Sequence, residues 1–181
     1  VAMAMTLIAM IDVVTVGEFG SAIIHEPNPT RDHYDTAWTL SAIFGLCAMA
    51  LLLAGSLPAA AFFDEPRLVP VICALSVLPL MSGLYNMGCV DFRKYLDFRK
   101  DFLLQVGTKL SGLFVVLPLA FVFRSYWALI GGMIAGRLGG LALSFMLHPF
   151  RPRVSVRSAR RLFSFSGWLM INNGLQFVRL R

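Results

Sequence analysis

Apolar residues in this chain occur in runs of about 20, each long enough to cross a lipid bilayer as a helix. Short polar stretches separate these runs. The pattern predicts an all-α polytopic membrane protein that folds as a helical bundle. Its predicted spans are approximately 1–24, 36–63, 68–90, 102–123, 126–147 and 162–181. We assign residues 1–181 to a single transmembrane helical domain. Because the first run starts at residue 1 and the last is cut short, we expect this domain to be a fragment of a longer protein.

Three local signals refine the predicted helices. Asp35 directly precedes the second run and can cap its helix, and Pro79 lies inside the third run, where it predicts a kink. Residues 91–94 and 97–100 both read Asp-Phe-Arg-Lys. This basic repeat is typical of a helix that lies along the bilayer surface, and we predict such a helix over 91–101.

The composition agrees with a membrane protein and excludes a soluble domain. Hydrophobic residues make up 57% of the chain and charged residues only 14%, whereas soluble domains hold about 25% charged residues. Lys and Arg number 16 against 10 Asp and Glu, but whole helices separate the basic clusters. The positive charge therefore indicates membrane topology, and we expect no nucleic-acid partner.

The loops carry Lys and Arg unequally. Loops 25–35, 91–101 and 148–161 hold ten of these residues, whereas loops 64–67 and 124–125 hold two. Positive residues accumulate on the cytoplasmic side of a membrane. We therefore expect the first three loops to be cytoplasmic, with one more helix upstream.

Two cations lie within predicted spans, where a charge costs at least about 2.5–3.5 kcal/mol at the bilayer centre. Lys109 lies on a polar stripe of the fourth span, and Arg137 lies near the middle of the fifth. We interpret both as candidates to bind an anionic ligand in a cavity. Alternatively, Lys109 extends to the cytoplasmic interface, and Arg137 pairs with Asp12 or Glu18 as an internal ion pair.

Small residues recur every four positions beside Arg137. Gly132, Gly136 and Gly140 continue a series that starts at Ala128 and ends at Ser144. Such spacing predicts a helix-packing face, because small side chains let two helix backbones approach closely.

Other polar residues give weaker candidates. Asn172 and Gln176, with Asn173 adjacent, form a polar face in the sixth span that can recognise sugar hydroxyls or simply hydrogen-bond to another helix. Asp12 and Glu18 in the first span are possible ion-coupling sites. The basic loops can bind phosphates or anionic lipid headgroups, although topology alone explains them.

No catalytic arrangement is visible in the sequence. It contains no Gly-rich phosphate loop of the Walker type, no His and Cys cluster and no paired acidic motif. We therefore expect a protein that is not an enzyme, that has no catalytic residues and that binds no metal and no cofactor.

Several short stretches, in order along the chain, carry a family resemblance: 17–24 (GEFGSAII), 35–40 (DTAWTL), 96–100 (LDFRK), 125–129 (SYWAL), 151–153 (RPR) and 163–166 (FSFS). They resemble the polysaccharide biosynthesis and export proteins that include O-antigen flippases, within the multidrug/oligosaccharidyl-lipid/polysaccharide exporter superfamily. The resemblance implies twelve to fourteen helices in two lobes, of which this chain supplies most of the N-terminal half.

The resemblance also implies a function. Proteins of this kind move polyprenyl-pyrophosphate-linked oligosaccharides across the membrane by alternating access, for polysaccharide or O-antigen (lipopolysaccharide) biosynthesis. The implied partners are this lipid-linked oligosaccharide, membrane lipids and other polysaccharide-assembly proteins. Two alternatives stay open: efflux of drugs or metabolites by a related exporter, and a membrane enzyme of glycan assembly.

Overall fold

The computed structural model describes residues 18–25, 29–62, 64, 66, 68–123, 125 and 127–155. All regular structure in this part is helical: α1 (Glu18–His25), α2 (Arg31–Phe62), α3 (Leu68–Leu75), α4 (Val77–Gly83), a 3₁₀ turn (Met87–Cys89), α5 (Val90–Lys94), α6 (Phe98–Phe123) and α7 (Trp127–Leu147). Residues 148–155 follow without regular structure. The predicted span at 162–181 and most of the one at 1–24 lie outside the described residues.

Three helices, α2, α6 and α7, are long and apolar enough to cross a membrane, and the bent run from α3 to α5 can form a fourth crossing. Large apolar side chains cover their outer surfaces; Phe121, for example, is 80% exposed. In a bilayer these side chains face lipid at no cost in hydration. The chain is therefore an all-α, multi-pass membrane protein, as the apolar runs predict.

Helix α2 begins at Arg31, five residues before the predicted start of the second span. Thr30 and His33 explain the earlier start: the Nδ1 atom of His33 accepts a hydrogen bond from the Thr30 backbone N–H at 3.1 Å and contacts its hydroxyl at 2.8 Å. This pairing resembles a capping box, with His at the position usually held by Glu. The prediction that Asp35 caps the helix is wrong, since Asp35 lies within it and is buried.

The third predicted span is not one straight helix. α3 ends at Leu75 and α4 starts at Val77. Pro79 explains this break, because it has no N–H to donate to the carbonyl of Leu75 and its ring crowds that carbonyl. After Gly83 the chain leaves the helix and bends by 63° before the 3₁₀ turn and α5.

The basic repeat divides between two helices. Its first unit lies in α5, which ends at Lys94, and its second unit opens α6. Between them Leu96 has a positive φ of 58°, and Asp97 caps α6 by accepting a hydrogen bond from the backbone N–H of Lys100 at 3.3 Å. The prediction of a single surface helix over 91–101 is therefore wrong.

Close helix contacts hold the described part together. α2 packs on α3 and α4, and α6 packs along α7. A buried core formed by Leu75, Leu78 and Ile130 joins the α3–α4 region to α7. The result is a bundle in which α1, the α4–α5 bend, the start of α6 and the middle of α7 surround a common space.

Candidate functional site

A cavity of about 290 Å³ lies between α1, the α4–α5 bend, α6 and α7. This volume is near the lower limit of small-molecule sites, about 300–1,000 Å³. The lining combines apolar residues with charged and polar ones. The charged and polar lining residues are Ser21, Ser82, Tyr85, Asn86, Arg93, Asp101 and Arg137.

Arg137 brings a cation to the membrane-embedded part of this cavity. It lies near the middle of α7 and is partly buried. A guanidinium at such a depth is stable only where it faces protein or water. The cavity provides that environment, and Arg137 can reach a ligand inside it.

A second cation, Arg93, lines the same cavity and pairs with a carboxylate. Its Nε atom lies 3.2 Å from Oδ1 of Asp101. The other carboxylate oxygen of Asp101 accepts a hydrogen bond from Nε2 of Gln105 at 2.6 Å. The Asp101 side chain is only 16% exposed, whereas that of Arg93 is 63% exposed. The carboxylate is therefore mostly shielded from water, whereas the guanidinium is mostly open to it.

Asn86 fixes the bend that forms one wall of the cavity. It is fully buried, and its amide nitrogen lies 3.2, 3.4 and 3.0 Å from the carbonyl oxygens of Ser144, His148 and Phe150. Its Oδ1 accepts a hydrogen bond from the N–H of Gly88 at 2.9 Å. A non-helical turn at membrane depth needs such partners for its backbone groups. One side chain thus joins the bend to the end of α7.

His148 adds a polar contact at the end of α7. Its Nδ1 accepts a hydrogen bond from the N–H of Phe150 at 3.1 Å, so its proton resides on Nε2, 3.6 Å from Asp91. Burial lowers the pKa of His148 below 6.5; Asp91 opposes this shift and Lys100 adds to it. The shift of the pKa favours the uncharged imidazole. Asp91 also accepts a hydrogen bond from the Tyr34 hydroxyl.

Residues 148–155 run back across the start of α2. The backbone N–H of Arg153 donates to the buried carboxylate of Asp35 at 2.8 Å, and that of Ser155 donates to the Thr39 hydroxyl at 3.0 Å. Asp35 also lies 3.7 Å from Nε of Arg31. The carboxylate therefore connects two distant parts of the chain.

The predicted helix-packing glycines face α6. An added Cβ at Gly132 would lie 2.6 Å from Val116, and one at Gly140 would lie 2.8 Å from Thr108. Gly136 lies against Gly112. These small residues let α6 and α7 pack closely, and this packing holds the helix that carries Arg137.

Of the other predicted site residues, the structure describes only Lys109 in full. Lys109 is exposed on α6 and is not among the described residues that line it. Asp12, Asn172, Asn173 and Gln176 lie outside the described residues, as does the side chain of Glu18. Within the described part, no three His, Cys, Asp or Glu side chains form a group that could hold a metal ion.

Sequence reasoning missed three residues of this region. Arg93 and Asp101 were visible only as charged residues of the predicted cytoplasmic loop 91–101. Asn86 is a lone amide between apolar residues. For Asn86 a signal was available: an uncharged polar residue near the end of an apolar run needs a hydrogen-bond partner and therefore indicates a tertiary contact.

Comparison with known proteins places the chain in a family. Residues 1–179 match the family model described as polysaccharide biosynthesis protein. Neither the curated proteins nor the solved structures contain a match. Because the family model covers nearly the whole chain, this protein belongs to the polysaccharide biosynthesis protein family.

Proposed function

We propose that this protein transports a lipid-linked oligosaccharide, attached to a polyprenyl pyrophosphate, from the cytoplasmic to the periplasmic leaflet of a bacterial inner membrane. Membership of the family supports a role in making polysaccharide. The observation that carries the proposal is the cavity that holds both Arg137 and Arg93. Transport, rather than catalysis, is the activity that we assign to it.

Two guanidinium groups suit a pyrophosphate. Arginine presents a planar fork of donors that matches phosphate oxygens and can bind them in pairs. The volume of about 290 Å³ suits a headgroup and not a whole oligosaccharide. In our proposal the sugars extend out of the cavity and the prenyl chain stays in lipid.

The proposed mechanism is alternating access, in which this half of a two-lobed transporter rocks against a second half. On this proposal the cavity opens to the cytoplasm in one state and to the periplasm in the other. The membrane potential can contribute to the driving force, because moving one charge across 100 mV is worth about 2.3 kcal/mol.

We expect Arg137→Ala to reduce glycan export by about ten- to a hundredfold, the equivalent of losing one charge-assisted hydrogen bond to phosphate. The measurement is the rate at which glycan reaches the cell surface in a strain that lacks its own copy of the protein. Arg99→Ala is the matched control, because Arg99 is an exposed arginine that does not line the cavity. Unchanged export by Arg137→Ala, at equal protein level in the membrane, would contradict the proposed function.

The orientation can be tested separately. We expect a cytoplasmic reporter to be active when it is fused after Arg161, and a periplasmic reporter to be active when it is fused after Ser125. The reason is that the predicted cytoplasmic loops hold ten Lys and Arg, whereas the predicted periplasmic loops hold two. A periplasmic reporter that is active after Arg161 would reverse the orientation, and the cavity would then need a different direction of transport.

A further inference from the structure

The Arg93–Asp101 pair places opposite charges inside a cavity to which we assign an anionic ligand, so the inference below rests on the proposed function. A carboxylate would repel a phosphate and weaken its binding. Asp101 nevertheless lines the cavity together with Arg93 and Arg137. A carboxylate in an anion-binding cavity therefore needs an explanation.

The geometry suits an exchange of partners. Gln105 holds Asp101 through a 2.6 Å hydrogen bond, so the carboxylate keeps a partner when Arg93 leaves it. Arg93 is 63% exposed, and an ion pair with such an exposed partner is weak, because water competes for the charges. Its long side chain can therefore turn to another anion at small cost.

We propose that Asp101 is an internal counter-anion that occupies Arg93 while the cavity is empty and that a phosphate group of the ligand displaces it. The pyrophosphate of the ligand is esterified at both ends, so as a whole it carries two negative charges and four non-bridging oxygens, against the single charge and two oxygens of a carboxylate. It therefore competes for Arg93 and contacts Arg137 at the same time. Asp101 then remains with Gln105.

Displacement makes the site selective. An anion that contacts only Arg93 exchanges one ion pair for another and gains little, whereas a pyrophosphate can bind Arg93 and Arg137 together. Monocarboxylates and other anions that reach only Arg93 should therefore bind poorly. Asp101 thus acts as a specificity-determining residue, because a ligand must bind Arg93 more strongly than Asp101 does before it can occupy the site.

The basic repeat supplies matched controls. Asp97 and Lys100 form an ion pair of 3.1 Å at the same end of α6, and Arg99 holds the position in the second unit that Arg93 holds in the first. Neither Asp97 nor Arg99 lines the cavity. Variants at these positions change the same charges in the same region without touching the proposed site.

The test measures dissociation constants of the purified, detergent-solubilised protein for farnesyl pyrophosphate and for inorganic pyrophosphate, with acetate as a monocarboxylate. We expect Asp101→Asn to bind both pyrophosphates about fivefold more tightly, because the competing ion pair is gone. Arg93→Ala should bind them about tenfold more weakly. Asp97→Asn and Arg99→Ala should match the unmodified protein.

The double variant Asp101→Asn/Arg93→Ala separates displacement from a general change of charge. If Asp101 acts mainly through Arg93, its substitution brings a much smaller gain once Arg93 is absent, because only the direct repulsion between Asp101 and the phosphate is then removed. A gain of the same size in the double variant, or an equal gain in Asp97→Asn, would overturn the proposal. So would unchanged affinity in Asp101→Asn when its melting temperature matches that of the unmodified protein.

The two pyrophosphates distinguish this inference from the proposed function. Tighter binding of farnesyl pyrophosphate assigns the phosphate to a lipid, as the proposed function requires. Equal affinities would assign it to a soluble phosphate compound and contradict that function, while the effect of Asp101→Asn would still stand. Loss of the Asp101→Asn effect alone would overturn displacement and leave the function in place.

Discussion

We expect Gly83→Ala to lower the melting temperature of the protein in detergent by roughly 5–10 °C, the equivalent of about 3 kcal/mol. An added Cβ at Gly83 would lie 2.3 Å from the carbonyl oxygen of Ser41 and 2.9 Å from its carbonyl carbon. Both are backbone atoms of α2, so no side-chain rotation relieves the clash. The two helices would have to separate along their length.

Gly55→Ala is the control for this variant. Gly55 lies in α2 as well, but an added Cβ there meets nothing within 4 Å. Because alanine favours a helix over glycine by about 1 kcal/mol, we expect an unchanged or slightly raised melting temperature. Equal melting temperatures for the two alanine variants would show that α2 and α4 do not pack as closely as described.

We expect Asn86→Ala to destabilise the protein by about 3–5 kcal/mol and to release the segment after α7. The substitution leaves the buried N–H of Gly88 without this partner, which costs about 1–3 kcal/mol, and each further hydrogen bond lost costs about 0.5–1.5 kcal/mol. The carbonyls of Ser144 and Phe150 keep contacts to Cys89 and Arg151. The carbonyl oxygens of Ser144 and Phe150 and the N–H of Gly88 lose their contacts to the Asn86 side chain. Asn86→Asp should be no better, because it places a carboxylate oxygen against these carbonyls.

Melting temperature and limited trypsin digestion measure this effect. Trypsin should cut after Arg153 faster in Asn86→Ala, because the segment that includes residues 148–155 is no longer held against the bend. Gln105→Ala is the control, since Gln105 is an exposed amide that contributes one hydrogen bond to the described structure. Unchanged digestion of Asn86→Ala would show that the contacts of residues 148–155 with Asp35 and Thr39 hold this segment without the Asn86 amide.

The all-α membrane fold could be predicted from the sequence because the length of an apolar run is a local property that the bilayer selects directly. The ends of the helices depend on individual contacts. The early start of α2 requires His33 to reach back to Thr30, and Glu is the residue that usually signals such a cap. The bend after Gly83 depends on Asn86, whose partners lie 58–64 residues away. A sequence pattern does not show which residues so far apart along the chain come into contact.

In the candidate site, too, some residues could be predicted from the sequence and others could not. Sequence reasoning could single out Arg137, because a charge in the middle of an apolar run is costly wherever it points. It could not distinguish Arg93 from Arg99, since both hold the same position in the basic repeat. The turn at Leu96 separates α5 from α6. As a result Arg93 lines the cavity and Arg99 does not.

The bend after Gly83 also changes the membrane around it. The apolar run 68–83, which includes the break between α3 and α4, is at most about 24 Å long at 1.5 Å per residue, whereas the hydrocarbon core of a bilayer is about 30 Å thick. A helix that is too short draws the two lipid surfaces together locally. Beside this helix, a charged headgroup would cross about 6 Å less hydrocarbon than elsewhere in the membrane.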